Sequence, residues 1–175
     1  MALSEKTKKT IEAIRHQFPT EQALLIPALH EVQDEFGWVS VEQMKHIGAY
    51  LHLPLSKVLE VASFYTMFKL APQGTVDLQI CTNISCWLNG ADKLVACAER
   101  KLGITQGHTT TDGKITLSQV ECLAACGTAP ALMLNEDYHE NVTEAELEKL
   151  IDQVYSDLKS NKVVGKSSRT EGVWP

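Results

Sequence analysis

The chain has 175 residues, 44% of them apolar and 22% charged, with a formal net charge of −6. That balance is ordinary for a globular protein, and a chain this long buries a core without needing a metal to fold. It holds no apolar run near the ~18 residues of a membrane span, and its first nine residues lack the apolar region of a secretory signal.

The expected compartment is therefore a reducing one, where disulfides are rare. Five cysteines are also an odd number, and both points favour metal ligation over disulfides. Charge is unevenly spread. Residues 71–160 carry six Lys/Arg against thirteen Asp/Glu, whereas residues 1–70 carry seven against eight. An acidic segment argues against nucleic-acid binding, which requires a basic surface. It suits either docking on a basic protein partner or a solvated acidic face.

The first seventy residues read as helical. Ile11, Ala13, Ile14 and Phe18 are spaced for a helix from Ser4 to about Gln17. Thr20 is placed to cap a second helix running to about Phe36, with Gly37 as its stop. Pro27 either kinks that helix or marks its true first turn. Ser40-Val-Glu-Gln43 is a capping box that opens a third helix to about Leu51, and Pro54 and Ser56 open a fourth ending near Phe64. The aromatic-rich segment 61–68 reads mainly as core, with a docking surface as the alternative.

Ala71-Pro-Gln-Gly74 is a turn and the best internal boundary. Val76–Ile80 alternates as a strand does and runs into Cys81. A helix is expected over Leu88–Leu102, stopped by Gly103, then a polar loop at 105–113 and a second strand, Ile115–Val120. Ala131–Leu134 reads as a third strand and Glu136–His139 as a hairpin turn. Thr143-Glu-Ala-Glu146 is a second capping box, opening a helix to about Leu158. The predicted fold class is α+β: an N-terminal helical bundle at 1–72, then a small helix-covered sheet at 73–160 compatible with a thioredoxin-like topology. Residues 161–175 are expected to be a tail.

Four cysteines form two tight pairs. Cys81 and Cys86 enclose four residues, Cys122 and Cys126 enclose three, and thirty-five residues separate the pairs. Each pair follows a predicted strand, and Cys86 lies at or near a helix start. Successive backbone N–H groups in such loops, and a helix N-terminus, favour anions. Both are expected to lower thiol pKa and ready the thiolates for a metal. Structural zinc tolerates these loop sizes. The plant-type ferredoxin pattern C-x₄-C-x₂-C fails, because residue 89 is Asn. The redox dithiol C-x-x-C is absent, and no C-x-H arrangement marks a Rieske-type centre. An iron–sulfur cluster, zinc and unliganded thiols all remain open on this chemistry. Cys97, mid-helix between two alanines, reads as a small buried residue. The histidines at 16, 30, 46, 52, 108 and 139 form no cluster. Glu121 brings charge beside a cysteine, and Thr82, Asn83, Ser85 and Thr128 are candidate donors near the sulfurs.

C-x₄-C, a gap of about thirty-five residues, then C-x₃-C resembles the thioredoxin-like 2Fe–2S ferredoxins. Val61-Ala-Ser-Phe-Tyr-Thr-Met-Phe68, Cys81-Thr-Asn-Ile-Ser-Cys-Trp-Leu-Asn-Gly90 and Glu121-Cys-Leu-Ala-Ala-Cys-Gly-Thr-Ala-Pro130 resemble the E-subunit family of bacterial NADH–quinone oxidoreductase, respiratory complex I. The likeness covers roughly residues 10–160, including the helical part that free ferredoxins of this type lack. It implies that Cys81, Cys86, Cys122 and Cys126 ligate one 2Fe–2S cluster and that Cys97 does not. The family commonly has a Gly where Ala124 or Ala125 stands here, a departure confined to loop geometry.

The chain carries no G-x-G-x-x-G fingerprint after a strand and no evident flavin site. The resemblance implies that FMN and NADH sit on a partner F subunit of the NADH dehydrogenase module. This chain would exchange one electron with that flavin, within a peripheral arm on the cytoplasmic side of the inner membrane. Neither nucleic-acid binding nor membrane insertion is expected. The alternative hosts are an NAD-reducing hydrogenase and an NAD-linked formate dehydrogenase. A zinc-stabilised interaction module is the reading of a different class.

Overall fold

The computed structural model describes residues 3–162 and 164. The expected C-terminal tail, apart from 161, 162 and 164, lies outside them. The chain divides into two compact units, one ending at Pro72 and the next beginning at Gln73.

The first unit is built of four helices: α1 (Glu5–Ile14), α2 (Leu25–Phe36), α3 (Val41–Tyr50) and α4 (Leu55–Phe64). Ser4 caps α1 by accepting the Thr7 amide at 3.1 Å, and a single 3₁₀ turn, Arg15–Gln17, completes it. α2 starts four residues later than expected. Thr20 instead closes a separate turn, its hydroxyl accepting the Ala23 amide at 3.2 Å. Pro27 therefore falls in the first turn of α2, where no intrahelical N–H is needed. Gly37 ends the helix at φ +78°, a conformation that costs glycine little. The capping box of Ser40 and Gln43 forms as read. Ile11, Leu25, Leu29, Met44, Ile47 and Val58 are fully buried in one core. The aromatic-rich segment divides: Ala62 and Phe68 are buried, whereas Phe64 is 76% exposed and Tyr65 and Met67 are also exposed. The expectation of mainly core is corrected there: Phe64 is exposed at the end of α4, whose buried residues are Val58 and Ala62, and the chain beyond it has left the helix.

The second unit holds a four-stranded sheet: β1 (Val76–Cys81), β2 (Ile115–Val120), β3 (Leu132–Leu134) and β4 (Asp137–His139), in the order β2-β1-β3-β4. β1 runs parallel to β2 and antiparallel to β3. The helix expected over Leu88–Leu102 is α6 (Ala91–Leu102), starting three residues later, and a short helix not expected as a separate element, α5 (Ile84–Leu88), precedes it. Asn83 caps α5 through the Ile84 amide at 2.7 Å, and Gly90 at φ +93° breaks the pair. The expected turn at 136–139 is instead strand β4. The reversal lies at Asn135–Glu136, with Asn135 at φ +55°, a conformation Asn tolerates better than most residues. Val76, Leu78 and Ile80 alternate onto the face that meets Leu94 of α6 and Leu147 and Ile151 of α7 (Glu144–Lys159).

Close packing gives one sharp prediction. A Cβ on Gly48 of α3 would lie 2.8 Å from the Leu53 carbonyl oxygen and 3.4 Å from Val58 Cγ2. The Leu53 amide also donates to the Gly48 carbonyl at 2.8 Å, which pins that approach. Gly48→Ala should cost roughly 1–3 kcal/mol from overpacking, despite alanine's better helix propensity. Urea unfolding measures it, and an unchanged or higher midpoint would contradict the steric account.

Candidate metal centre

The site is built by the register of two parallel strands. Cys81, the last residue of β1, pairs with Val120, the last of β2. Parallel neighbours point their carboxyl ends the same way, so the loops carrying Cys86 and Cys122 leave the sheet side by side. The ladder continues one step past the strands, with the Thr82 amide donating to the Val120 carbonyl at 3.1 Å. Cys86 is the third residue of α5, and Cys126 opens a 3₁₀ turn, Cys126–Thr128. Leu123, between the second pair, is buried against Cys81, Cys86, Ala91 and Ala131. It anchors the loop from below while Cys122 and Cys126 face solvent.

The four thiols form one neighbourhood. Cys86 lies within hydrogen-bonding reach of Cys81, and Cys126 of Cys122. Across the loops, Cys126 acts electrostatically on Cys86, and Cys81 on Cys126. Among the described residues no three His, Cys, Asp or Glu side chains form a single-ion cage. The arrangement is two pairs, one buried and one exposed.

At Cys86 and Cys126 the expected lowering of thiol pKa is reversed. Burial pushes the Cys86 thiol up, and Cys81 adds to it against an opposing hydrogen bond from the Ala131 backbone. Cys126 is pushed up by Cys122 first, with burial and Cys81 adding less. The reason is mutual: ionising one sulfur beside another places like charges together, and burial penalises the charged form further. Backbone donors are fewer than the loop shape promised. The Ala124 amide donates to Cys122 Sγ at 3.3 Å, a contact that sequence reasoning missed.

The candidate polar residues mostly serve the backbone. Asn83 caps α5, Thr82 accepts from the Gln119 side chain, and Thr128 donates to the Ala125 carbonyl at 3.4 Å. Ser85 donates to the Cys126 carbonyl at 2.8 Å, from one cysteine loop to the other. Glu121 is exposed, and its carbonyl faces Cys81 Sγ at 3.8 Å. Cys97 stands apart from the four: it is fully buried between α6 and α7, its thiol 3.6 Å from Glu148 Oε1, and burial followed by that carboxylate pushes its pKa up.

A small mixed sheet with two cysteine loops leaving the carboxyl ends of parallel strands defines the class, a thioredoxin-like electron-carrier domain. The chain belongs to the thioredoxin-like [2Fe-2S] ferredoxin family, whose pattern it matches over residues 11–155. It is 40% identical over 162 residues to the E subunit of NADH-quinone oxidoreductase from Rickettsia prowazekii (strain Madrid E), covering 91% of this chain and 92% of that one. It is 39% identical over 145 residues to the E 2 subunit of NADH-quinone oxidoreductase from Rhizobium meliloti (strain 1021), covering 83% and 86%. Among solved structures, an NAD+-reducing [NiFe]-hydrogenase in its H2-reduced state matches with a TM-score of 0.66 at 20% identity. That match covers 75% of this chain but only 22% of the hydrogenase chain, and it bears on the fold alone.

The loop position at which the resemblance leads one to expect glycine has a distinctive conformation. Ala124 adopts φ +58°, the left-handed region where a side chain is strained and glycine is not. Ala124→Gly should therefore stabilise the cluster-free chain by up to about 1 kcal/mol, net of glycine's greater unfolded freedom. Thermal melting checks this, and a lower Tm would contradict the assigned strain. Exposure makes a second prediction. Iodoacetamide should modify Cys122 and Cys126 of the cluster-free chain well before Cys81, Cys86 and Cys97, as read by peptide mass spectrometry. Equal rates at all five would contradict the burial assignment.

Proposed function

We propose that this chain is the 2Fe–2S electron-carrying subunit of the NADH dehydrogenase module of an NADH–quinone oxidoreductase, with Cys81, Cys86, Cys122 and Cys126 as the ligands. The observation that carries the reading is the meeting of two cysteine pairs at the carboxyl ends of parallel strands. Two irons require four thiolates, and two pairs in one neighbourhood suit that better than a single-ion cage. Bound there, the cluster would take up and release one electron at a time. The protein's part is to hold it, to tune it through the Ala124 amide and the surrounding burial, and to present it to a partner. The upward push on the Cys86 and Cys126 thiols fits this role as well, because ligation takes thiolates and cluster binding there releases protons.

The partner of this reading is an FMN- and NADH-binding F subunit. Support comes from the surface beside the site. Ile84, Trp87 and Leu88 of α5 are 73%, 57% and 77% exposed, an apolar face next to Cys86. An open groove of about 610 Å³ adjoins it, walled by Trp87, Leu88, Pro130 and Val142. Contiguous exposed apolar surface of this kind marks a protein contact. No helix among the described residues is long and apolar enough to cross a membrane. In this reading the chain sits in a peripheral arm, on the cytoplasmic side of the inner membrane. The same role in an NAD-reducing hydrogenase or an NAD-linked formate dehydrogenase is the alternative, and the partner that co-purifies distinguishes the hosts.

The test is anaerobic iron–sulfide reconstitution, followed by strong reduction and EPR. A brown protein with about two irons and two acid-labile sulfides per chain is expected. A colourless protein, or one zinc per chain without sulfide, would reject the reading. Serine at any of positions 81, 86, 122 or 126 should abolish or alter the signal. Cys97→Ser should keep it, at about 1–3 kcal/mol of stability for a buried hydroxyl. Loss of the signal in Cys97→Ser would overturn the ligand assignment.

A further inference from the structure

The two cysteine loops are joined at their base by the β1–β2 ladder, which ends with the Thr82 amide on the Val120 carbonyl. Beyond it they diverge into different structures, a short helix and a 3₁₀ turn. What ties them at the outer end is a side chain. Ser85 Oγ donates to the Cys126 carbonyl at 2.8 Å, across forty-one positions of sequence. Both partners are themselves held. The Ser85 carbonyl accepts from Asn89 Nδ2 at 2.8 Å, locking the residue onto α5. The Cys126 turn is closed by the Thr128 amide on the Ala125 carbonyl at 3.2 Å, and the Thr128 carbonyl accepts the Asn141 amide at 2.7 Å.

We propose that Ser85 is a positioning residue for the metal centre: its hydroxyl sets the spacing between Cys86, its chain neighbour, and Cys126 on the facing loop. The inference rests on the ligand assignment above. The geometry argues for it in three ways. Ser85 is adjacent to the buried ligand candidate Cys86 and bonds the backbone of the exposed candidate Cys126. Cys126 is the solvent-facing end of the set, where an unrestrained loop would open first. And the bond runs to a carbonyl of the ligand residue itself, so a shift there moves the Cys126 Cα and its sulfur together. A hydroxyl is required for this, because neither an aliphatic side chain nor the backbone of α5 supplies a donor at that point.

The experiment uses the full chain, reconstituted anaerobically, as parent, Ser85→Ala and Ser85→Thr. Ser85→Ala should fold with an unchanged far-ultraviolet spectrum, since alanine is a better helix former and the residue is half-exposed. Its cluster should pass to a chelator roughly five-fold faster, the size expected for loss of one ordinary hydrogen bond. Its reduced EPR signal should show altered g-anisotropy, a readout that a purely structural role would leave alone. Ser85→Thr should restore both. Parent-like chelator kinetics and EPR in Ser85→Ala would overturn the proposal, as would failure of Ser85→Thr to restore them. Should Ser85→Ala not fold, the proposal stands or falls on Ser85→Thr, which must match the parent in both readouts. A parent chain that takes up no cluster would instead defeat the function proposed above, so the two failures are distinguishable.

Discussion

Cys81 faces Val120 at the end of a parallel ladder, and the metal centre depends on that register. A parallel pair sends both chains off the same end of the sheet. Two loops that are distant in sequence are then forced to share one volume. In an antiparallel pair the same two cysteine motifs would leave opposite ends of the strands and never meet. A one-residue slip would turn the Cys81 side chain from its present face to the helix-covered one. The alternation that buries Val76, Leu78 and Ile80 under α6 and α7 therefore also aims Cys81. Core packing and site geometry are set by the same strand.

Crowding follows from that meeting and shapes the chemistry. Cys86 and Cys126 both resist ionisation, and their near neighbours include other thiols. A set of sulfurs that repel one another when charged is poorly satisfied alone and well satisfied around cations. This differs from a reactive-cysteine site, where one thiolate is stabilised by fixed positive groups. The protein supplies few such groups here. One backbone amide reaches Cys122, and no Lys or Arg pairs with a thiol among the described contacts of the four. In the proposed ligand assignment the positive charge comes from the metal.

Much of this was legible in the chain itself. The capping boxes at Ser40 and Thr143, the stops at Gly37 and Gly103 and the strands at 76 and 115 rest on local rules, and they formed as read. The misreadings came where local signals compete. Thr20 is a good cap but closes a turn of its own before α2. Asn83 caps a short helix of its own, α5, and Gly90 in the left-handed region delays the expected helix to Ala91. Residues 137–139 pair as a strand only because β3 offers an antiparallel edge, which no local pattern announces.

Residue types and spacing alone determined the cysteine pairs, their place after strands, the odd fifth cysteine and the family resemblance. These depend on neighbours in sequence, and chain chemistry carries them directly. Tertiary structure alone decided which groups face the sulfurs and at what ionisation cost. Ala124 supplies an amide from a strained left-handed turn, and Ser85 reaches a carbonyl forty-one positions away rather than a sulfur. Burial and like-charge proximity exist only once the loops are brought together, so Cys86 and Cys126, expected to be acidic, are pushed the other way. That reversal is a property of distance through space, which a linear sequence does not state.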